Sequence, residues 1–133
     1  MPPKTNAGFP RPTDAEMSLL RILWEMGQGS VREVLEAVNR EREEPLGYTS
    51  VLKLLQIMTE KGLVIRDERD RAHVYRPAAP AERTRKALVS DLVDRVFDGS
   101  ARALVVQALG SGRLSKRELE EIGEFVDQLR RKS

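Results

Sequence analysis

The feature that most constrains this chain is the stretch GYTSVLKLLQIMTEKG, residues 47–62, which stands directly before two short runs that look extended. At about 100° per residue, Val51, Leu54, Leu55 and Met58 fall on one stripe, and Thr49, Lys53 and Gln56 fall on the opposite one. Thr49 belongs to the residue types that cap free N–H groups, which predicts the helix start there. Lys61 and Gly62 predict its end, a cation near the negative pole followed by a residue that tolerates left-handed φ. Taken alone, such a helix has an ordinary solvated outer side. Its neighbours decide whether that side has a use.

Upstream, Thr13-x-x-Glu16 has the spacing of a capping box, and Leu19, Leu20, Leu23 and Trp24 recur at helical intervals up to Gly27. Ser30-x-x-Glu33 repeats the signal, with Val31, Val34, Leu35 and Val38 as a second apolar stripe. A polar connection from Asn39 to Pro45 leads into the third helix. Downstream, Leu63–Arg66 and Ala72–Arg76 read as two strands joined by the charged turn Asp67–Arg71. Three short helices and a basic-tipped hairpin make a winged helix-turn-helix, in which the third helix enters a DNA major groove and the wing follows the backbone.

Pro77 and Pro80 separate this unit from a second one beginning near Ala81. Leu88, Leu92 and Val96, flanked by Val89, Val93 and Phe97, form a stripe too broad for a lone solvated helix. Gly99 breaks the pattern, Ser100 caps a short helix through Leu109, and Ser115-x-x-Glu118 opens a last helix carrying Leu119, Ile122, Phe125, Val126 and Leu129. Three short helices do not easily bury all these stripes among themselves. A homodimer is therefore expected, with Leu88, Leu92, Val96, Leu104, Ile122, Phe125 and Leu129 at its interface, and it suits a palindromic site. The predicted fold class is mainly α with a small β-hairpin, a winged helix-turn-helix followed by a helical dimerisation region. Its expected divisions are a flexible arm at 1–12, a DNA-binding domain at 13–78 and a dimerisation region at 79–133.

Composition removes other classes. With 23 Lys plus Arg against 21 Asp plus Glu, the net charge of +2 is too small to point to a polyanionic partner, so any nucleic-acid signal is local. There is no cysteine, which excludes disulfides, thiol catalysis and thiolate metal sites. His73, the single histidine, lacks a second ligand, so neither a metal nor a cofactor is expected. No apolar run approaches the roughly 18 residues of a membrane span, and a soluble, cytoplasmic protein is expected. Carboxylates sit in charge-mixed faces, and neither a phosphate-binding glycine loop nor a nucleophile motif is present, which argues against an enzyme. The rival class is a winged helix used only for protein contacts, which the near balance of charge in the first unit keeps open.

The order of several fragments resembles the penicillinase repressors, the BlaI/MecI-type transcriptional regulators. They are Pro12–Glu16 with Leu23-Trp24, Tyr48–Val51 with Leu54-Leu55, Glu60–Val64, Val74–Pro77, Phe97–Ser100, and Leu114-Ser115 with Glu118-Leu119. The resemblance implies a winged helix that binds an inverted-repeat operator and a helical region that dimerises. Members of that family that answer to beta-lactams are cut at an Asn-Phe bond by a membrane-bound sensor protease. Here Gln107-Ala108 stands at the matching place, so the resemblance implies a membrane sensor protease as a partner but without its usual Asn-Phe cleavage site. Copper-responsive relatives use cysteine ligands, which this chain lacks.

Phosphate contacts supply affinity, and base edges supply specificity. Thr49 and Ser50, at the helix start, are placed to bond phosphate. Lys53 and Gln56, one turn along on the polar side, are the expected base readers, Lys53 toward guanine O6 or N7 or else a phosphate, and Gln56 toward the N6/N7 edge of adenine. Arg69 and Arg71 on the wing are the expected backbone contacts, the alternative being a solvated turn paired with Asp67, Glu68 and Asp70. Tyr48 and Tyr75 read as structural anchors, and Trp24 as core.

Overall fold

Three helices of the chain open on closed capping boxes. The hydroxyls of Thr13, Ser30 and Ser115 accept from the N–H of Glu16, Glu33 and Glu118, whose carboxylates accept in return from the cap N–H. Each box satisfies two donors that a helix start otherwise leaves unpaired. In the computed structural model, which describes residues 10–69 and 71–133, these signals set an order of six helices and three strands. The elements are α1 (Asp14–Met26), β1 (Gly29–Ser30), α2 (Val31–Asn39), α3 (Tyr48–Lys61), β2 (Val64–Asp67), β3 (Val74–Pro77), α4 (Ala81–Val96), α5 (Ala101–Leu109) and α6 (Lys116–Lys132). The expected flexible arm falls mostly on residues 1–9, outside the described residues.

The chain divides into two compact units, one ending at Val89 and the other running Ser90–Ser133. In the first, Leu19, Leu20 and Leu23 of α1, Val34 of α2, Val51, Leu55 and Met58 of α3, Val64 of β2 and Tyr75 of β3 are all almost fully buried. Each such side chain contributes about 1.5–3 kcal/mol by leaving water. The apolar stripe expected on α3 is the face turned to this core, with Leu54 half-buried at its margin.

The sheet is larger than the expected hairpin. Gly29 and Ser30 add a short antiparallel edge strand, in the order β1-β3-β2, with Gly29 opposite Tyr75 and Ser30 opposite Val74. Two residues between helices carry too little pattern to announce a strand. The hairpin itself pairs Val64 with Pro77 and Asp67 with Val74, so both strands lie slightly later than 63–66 and 72–76. Leu63 is buried ahead of the ladder, where its N–H bonds the carbonyl of Met58.

The first turns of α4 belong to the first unit. Thr84 is buried, Trp24 donates from Nε1 to the carbonyl of Ala79 at 3.0 Å, and the Arg85 guanidinium lies over the indole at 5.9 Å. The packing boundary thus falls inside α4, later than the prolines that mark residue 78. Trp24 is half-buried at the edge of the core rather than central to it.

In the second unit, Asp98 and Gly99 both adopt positive φ, which ends the α4 region, and Ser100 caps α5 through the N–H of Ala103. Neither α5 nor α6 contains a buried residue. Basic residues Arg130, Arg131 and Lys132 close the last turn of α6, where they oppose the negative end of its dipole.

Candidate nucleic-acid interface

Helix α3 is fixed at both ends. Asn39, the last residue of α2, clamps the connection by donating from its amide to the carbonyl of Leu46 at 2.9 Å and accepting from the Leu46 N–H at 2.8 Å. At the other end Gly62 takes φ 82°, a left-handed stop, and its N–H returns to the carbonyls of Met58 and Thr59. Lys61 reaches from the last turn to the buried Glu16 carboxylate, with Nζ 2.6 Å from Oε1, and donates also to the carbonyl of Arg11 at 2.7 Å. Burial pushes the Glu16 carboxyl upward. The Lys61 hydrogen bond, the Thr13 N–H and the Lys61 charge outweigh it and hold the pKa below the ordinary value.

The expected cap of α3 is corrected. Gly47, not Thr49, is the N-cap, and it has no side chain to offer. The first intrahelical bond runs from the Val51 N–H to the Gly47 carbonyl. The N–H groups of Tyr48, Thr49 and Ser50 therefore have no partner within the helix, unlike the side-chain-capped starts of α1, α2, α5 and α6. Thr49 lies one residue inside the helix with its hydroxyl free of capping duty. Thr49, Ser50, Lys53 and Gln56 are all exposed, in one run along the first two turns. Leu52 is half-buried and Ile57 is 37% exposed at the borders of this face.

On the hairpin the two arginines differ. Arg69 is engaged by Asp67, whose Oδ1 accepts from Nε and from the backbone N–H at 3.0 Å, and whose Oδ2 accepts from Nη2 at 2.6 Å. These bonds hold the Asp67 carboxyl down from 3.8 to about 2. Arg66 pairs with Glu68 at 2.7 Å. Arg71 is exposed and, among the described residues, makes no ion pair. His73 is exposed, with Glu68 at 3.9 Å. Asp70, named in the expected paired turn, lies outside the described residues.

Residues that the sequence pattern left aside also reach this face. Arg32, exposed on the first turn of α2, places its guanidinium carbon 5.5 Å from the ring centre of Tyr48. Tyr75 is the buried anchor expected of it, whereas Tyr48 is 45% exposed and supports Arg32 instead. Asn39 positions α3 without facing outward. No spacing rule announces a helix-end amide that will bond seven residues ahead. Among the described residues no cluster of three or more His, Asp or Glu side chains is placed to hold a metal ion, and no helix is long and apolar enough to cross a membrane.

A solved complex of hsRosR-S4 has the same fold, with a TM-score of 0.55 at 16% identity over 94% of this chain and 95% of that one. The "Transcriptional regulator BlaI" of Mycobacterium tuberculosis is 32% identical over 90 residues, 67% of this chain, and the match spans 64% of that relative's length. The "Penicillinase repressor" of Bacillus licheniformis is 18% identical over 120 residues, covering 90% of this chain and 92% of the relative. Both relatives are regulators by name, not enzymes. The model of the penicillinase repressor family matches residues 12–128, from just ahead of α1 to within the last turns of α6, and the chain belongs to that family.

Proposed function

We propose that the chain is a sequence-specific DNA-binding transcriptional repressor that occupies an inverted-repeat operator as a homodimer. The observation that carries this reading is the exposed run Thr49, Ser50, Lys53 and Gln56 on a helix held at both ends. Beside it stands a hairpin whose Arg71 makes no ion pair among the described residues. Thr49, Ser50 and the unpaired N–H groups at the start of α3 take up backbone phosphate, since they lie at the positive end of the helix dipole. Lys53 and Gln56 then reach base edges in the major groove. On the wing Arg71 holds the neighbouring backbone. Arg69 joins it only by exchanging Asp67 for phosphate.

The second copy is supported by the surfaces of α5, α6 and the end of α4. Val96, Val105, Val106, Leu119, Phe125, Val126 and Leu129 are each more than two-fifths exposed. A groove of about 630 Å³ beside them is lined by Leu109, Leu119, Ile122 and Val126. Of the expected interface, Leu88, Leu92, Leu104 and Ile122 are half-buried within one chain, and Val96, Phe125 and Leu129 are exposed for a partner. A two-fold protein matches a two-fold operator. The cytoplasm is the compartment in which such a repressor acts. Gln107-Ala108, exposed in α5, is not the Asn-Phe bond that sensor proteases of this family cut, so release by cleavage there forms no part of the proposal.

The test is binding of the purified protein to a duplex from upstream of its own coding sequence, titrated with salt. Tight binding that falls steeply with salt and is halved in stoichiometry by destroying one half-site supports the reading. Binding that ignores salt, or no binding beside capture of a protein partner, supports the adaptor class instead.

A further inference from the structure

Between the first turn of α2, the first turn of α3 and the start of β3 lies a cleft of about 330 Å³. Arg32 and Tyr48 form one wall, Arg71 and His73 the other, and Leu52 and Tyr75 contribute to its lining. The described acids nearby have partners of their own. Glu33 is turned back to the Ser30 N–H at 2.9 Å, Asp67 pairs with Arg69, and Glu68 pairs with Arg66 and lies 3.9 Å from His73. Among the described residues neither Arg32 nor Arg71 makes an ion pair. Two guanidiniums, an imidazole and a phenol thus face one cleft, and neither guanidinium is paired with a described carboxylate.

We infer that this cleft is a seat for a backbone phosphodiester of duplex DNA, with Arg32 and the Tyr48 hydroxyl as donors on one side and Arg71 and His73 on the other. The assignment rests on the proposed repressor function and adds Arg32, Tyr48 and His73 to its interface. A helix lying in the major groove has a sugar-phosphate strand on each flank. The cleft borders the first turn of α3 on the flank facing β3, where one of those strands passes. A planar guanidinium donates two parallel N–H bonds to a phosphate. Its position over the Tyr48 ring restrains the long side chain before DNA arrives, so less freedom is lost on binding. Tyr48 is therefore a positioning residue as well as a donor, which explains an aromatic left nearly half exposed at the start of this helix.

The experiment measures affinity against salt for the full chain on two duplexes, the upstream fragment and one of random sequence. Arg32→Ala is expected to weaken both by a similar factor, roughly five- to tenfold, and to lower the salt slope by about one unit. Arg32→Lys restores the slope, and Tyr48→Phe weakens both duplexes with the slope intact. An unchanged slope in Arg32→Ala, with the wild type still binding DNA, overturns the seat and leaves the repressor reading standing. Loss confined to the upstream fragment overturns it too, since that marks base reading rather than phosphate contact. Displacement of the duplex by inorganic phosphate at constant ionic strength overturns it in favour of a free-anion site. A wild type without salt-dependent DNA binding removes the repressor reading and this seat with it.

Discussion

The Lys61 ammonium at the end of α3 lies 2.6 Å from the Glu16 carboxylate in the first turn of α1, and Glu16 is only 2% exposed. The pair joins two helix ends that are distant in sequence and fixes the axis of α3 against the core. Lys61→Met leaves a buried carboxylate without its cation, and we expect a loss of about 3 kcal/mol in urea unfolding. The double variant with Glu16→Gln recovers much of that loss, because no charge then remains stranded. Because the Glu16 pKa is depressed, its contribution is complete above the ordinary carboxylate value and fades as pH falls through the folded one. A double-variant loss equal to the sum of the two single losses contradicts the pairing.

Asp67 offers a titration readout of the wing. Its bonds from Arg69 hold its carboxyl at about 2, against an ordinary 3.8. The pairing is fully present above the ordinary value and is lost as pH falls toward the lower one. Carboxyl carbon shifts followed by NMR should give a midpoint near 2 in the wild type and near 3.8 in Arg69→Ala. A wild-type midpoint already at the ordinary value means that Arg69 is free for phosphate.

Phe125, 59% exposed on α6, tests the second copy. Phe125→Asp places a charge in the expected interface, and sedimentation should shift from dimer to monomer at micromolar protein. Unfolding of the first unit, whose hydrophobic core cluster ends in sequence at Tyr75, should change little. Persistence of the dimer in this variant moves the interface elsewhere.

Most of the architecture is written locally. Capping boxes at Thr13, Ser30 and Ser115 mark three helix starts because both partners lie within one turn, and the apolar stripe of α3 matches its buried side. Other features depend on distant partners. Gly29-Ser30 becomes a strand because β3 arrives beside it, and Thr49 loses the cap position because the Asn39 clamp on Leu46 and the backbone at Gly47 set the helix entry earlier. The difference between Arg69 and Arg71 is equally hidden, since two arginines in one charged turn look alike until the fold gives one of them Asp67. Arg32 carries no local signal for the same reason. It belongs to α2 in sequence and to the start of α3 in space.

Base reading by the outward side of α3 makes Gln56→Ala the decisive variant. Gln56 is exposed one turn beyond Lys53 on that side and contributes nothing to the core, so the variant should fold as the wild type does. Affinity measured by fluorescence anisotropy should fall by about 1–3 kcal/mol on the upstream operator and stay nearly unchanged on random DNA. An equal loss on both duplexes, or no loss on either, contradicts the account.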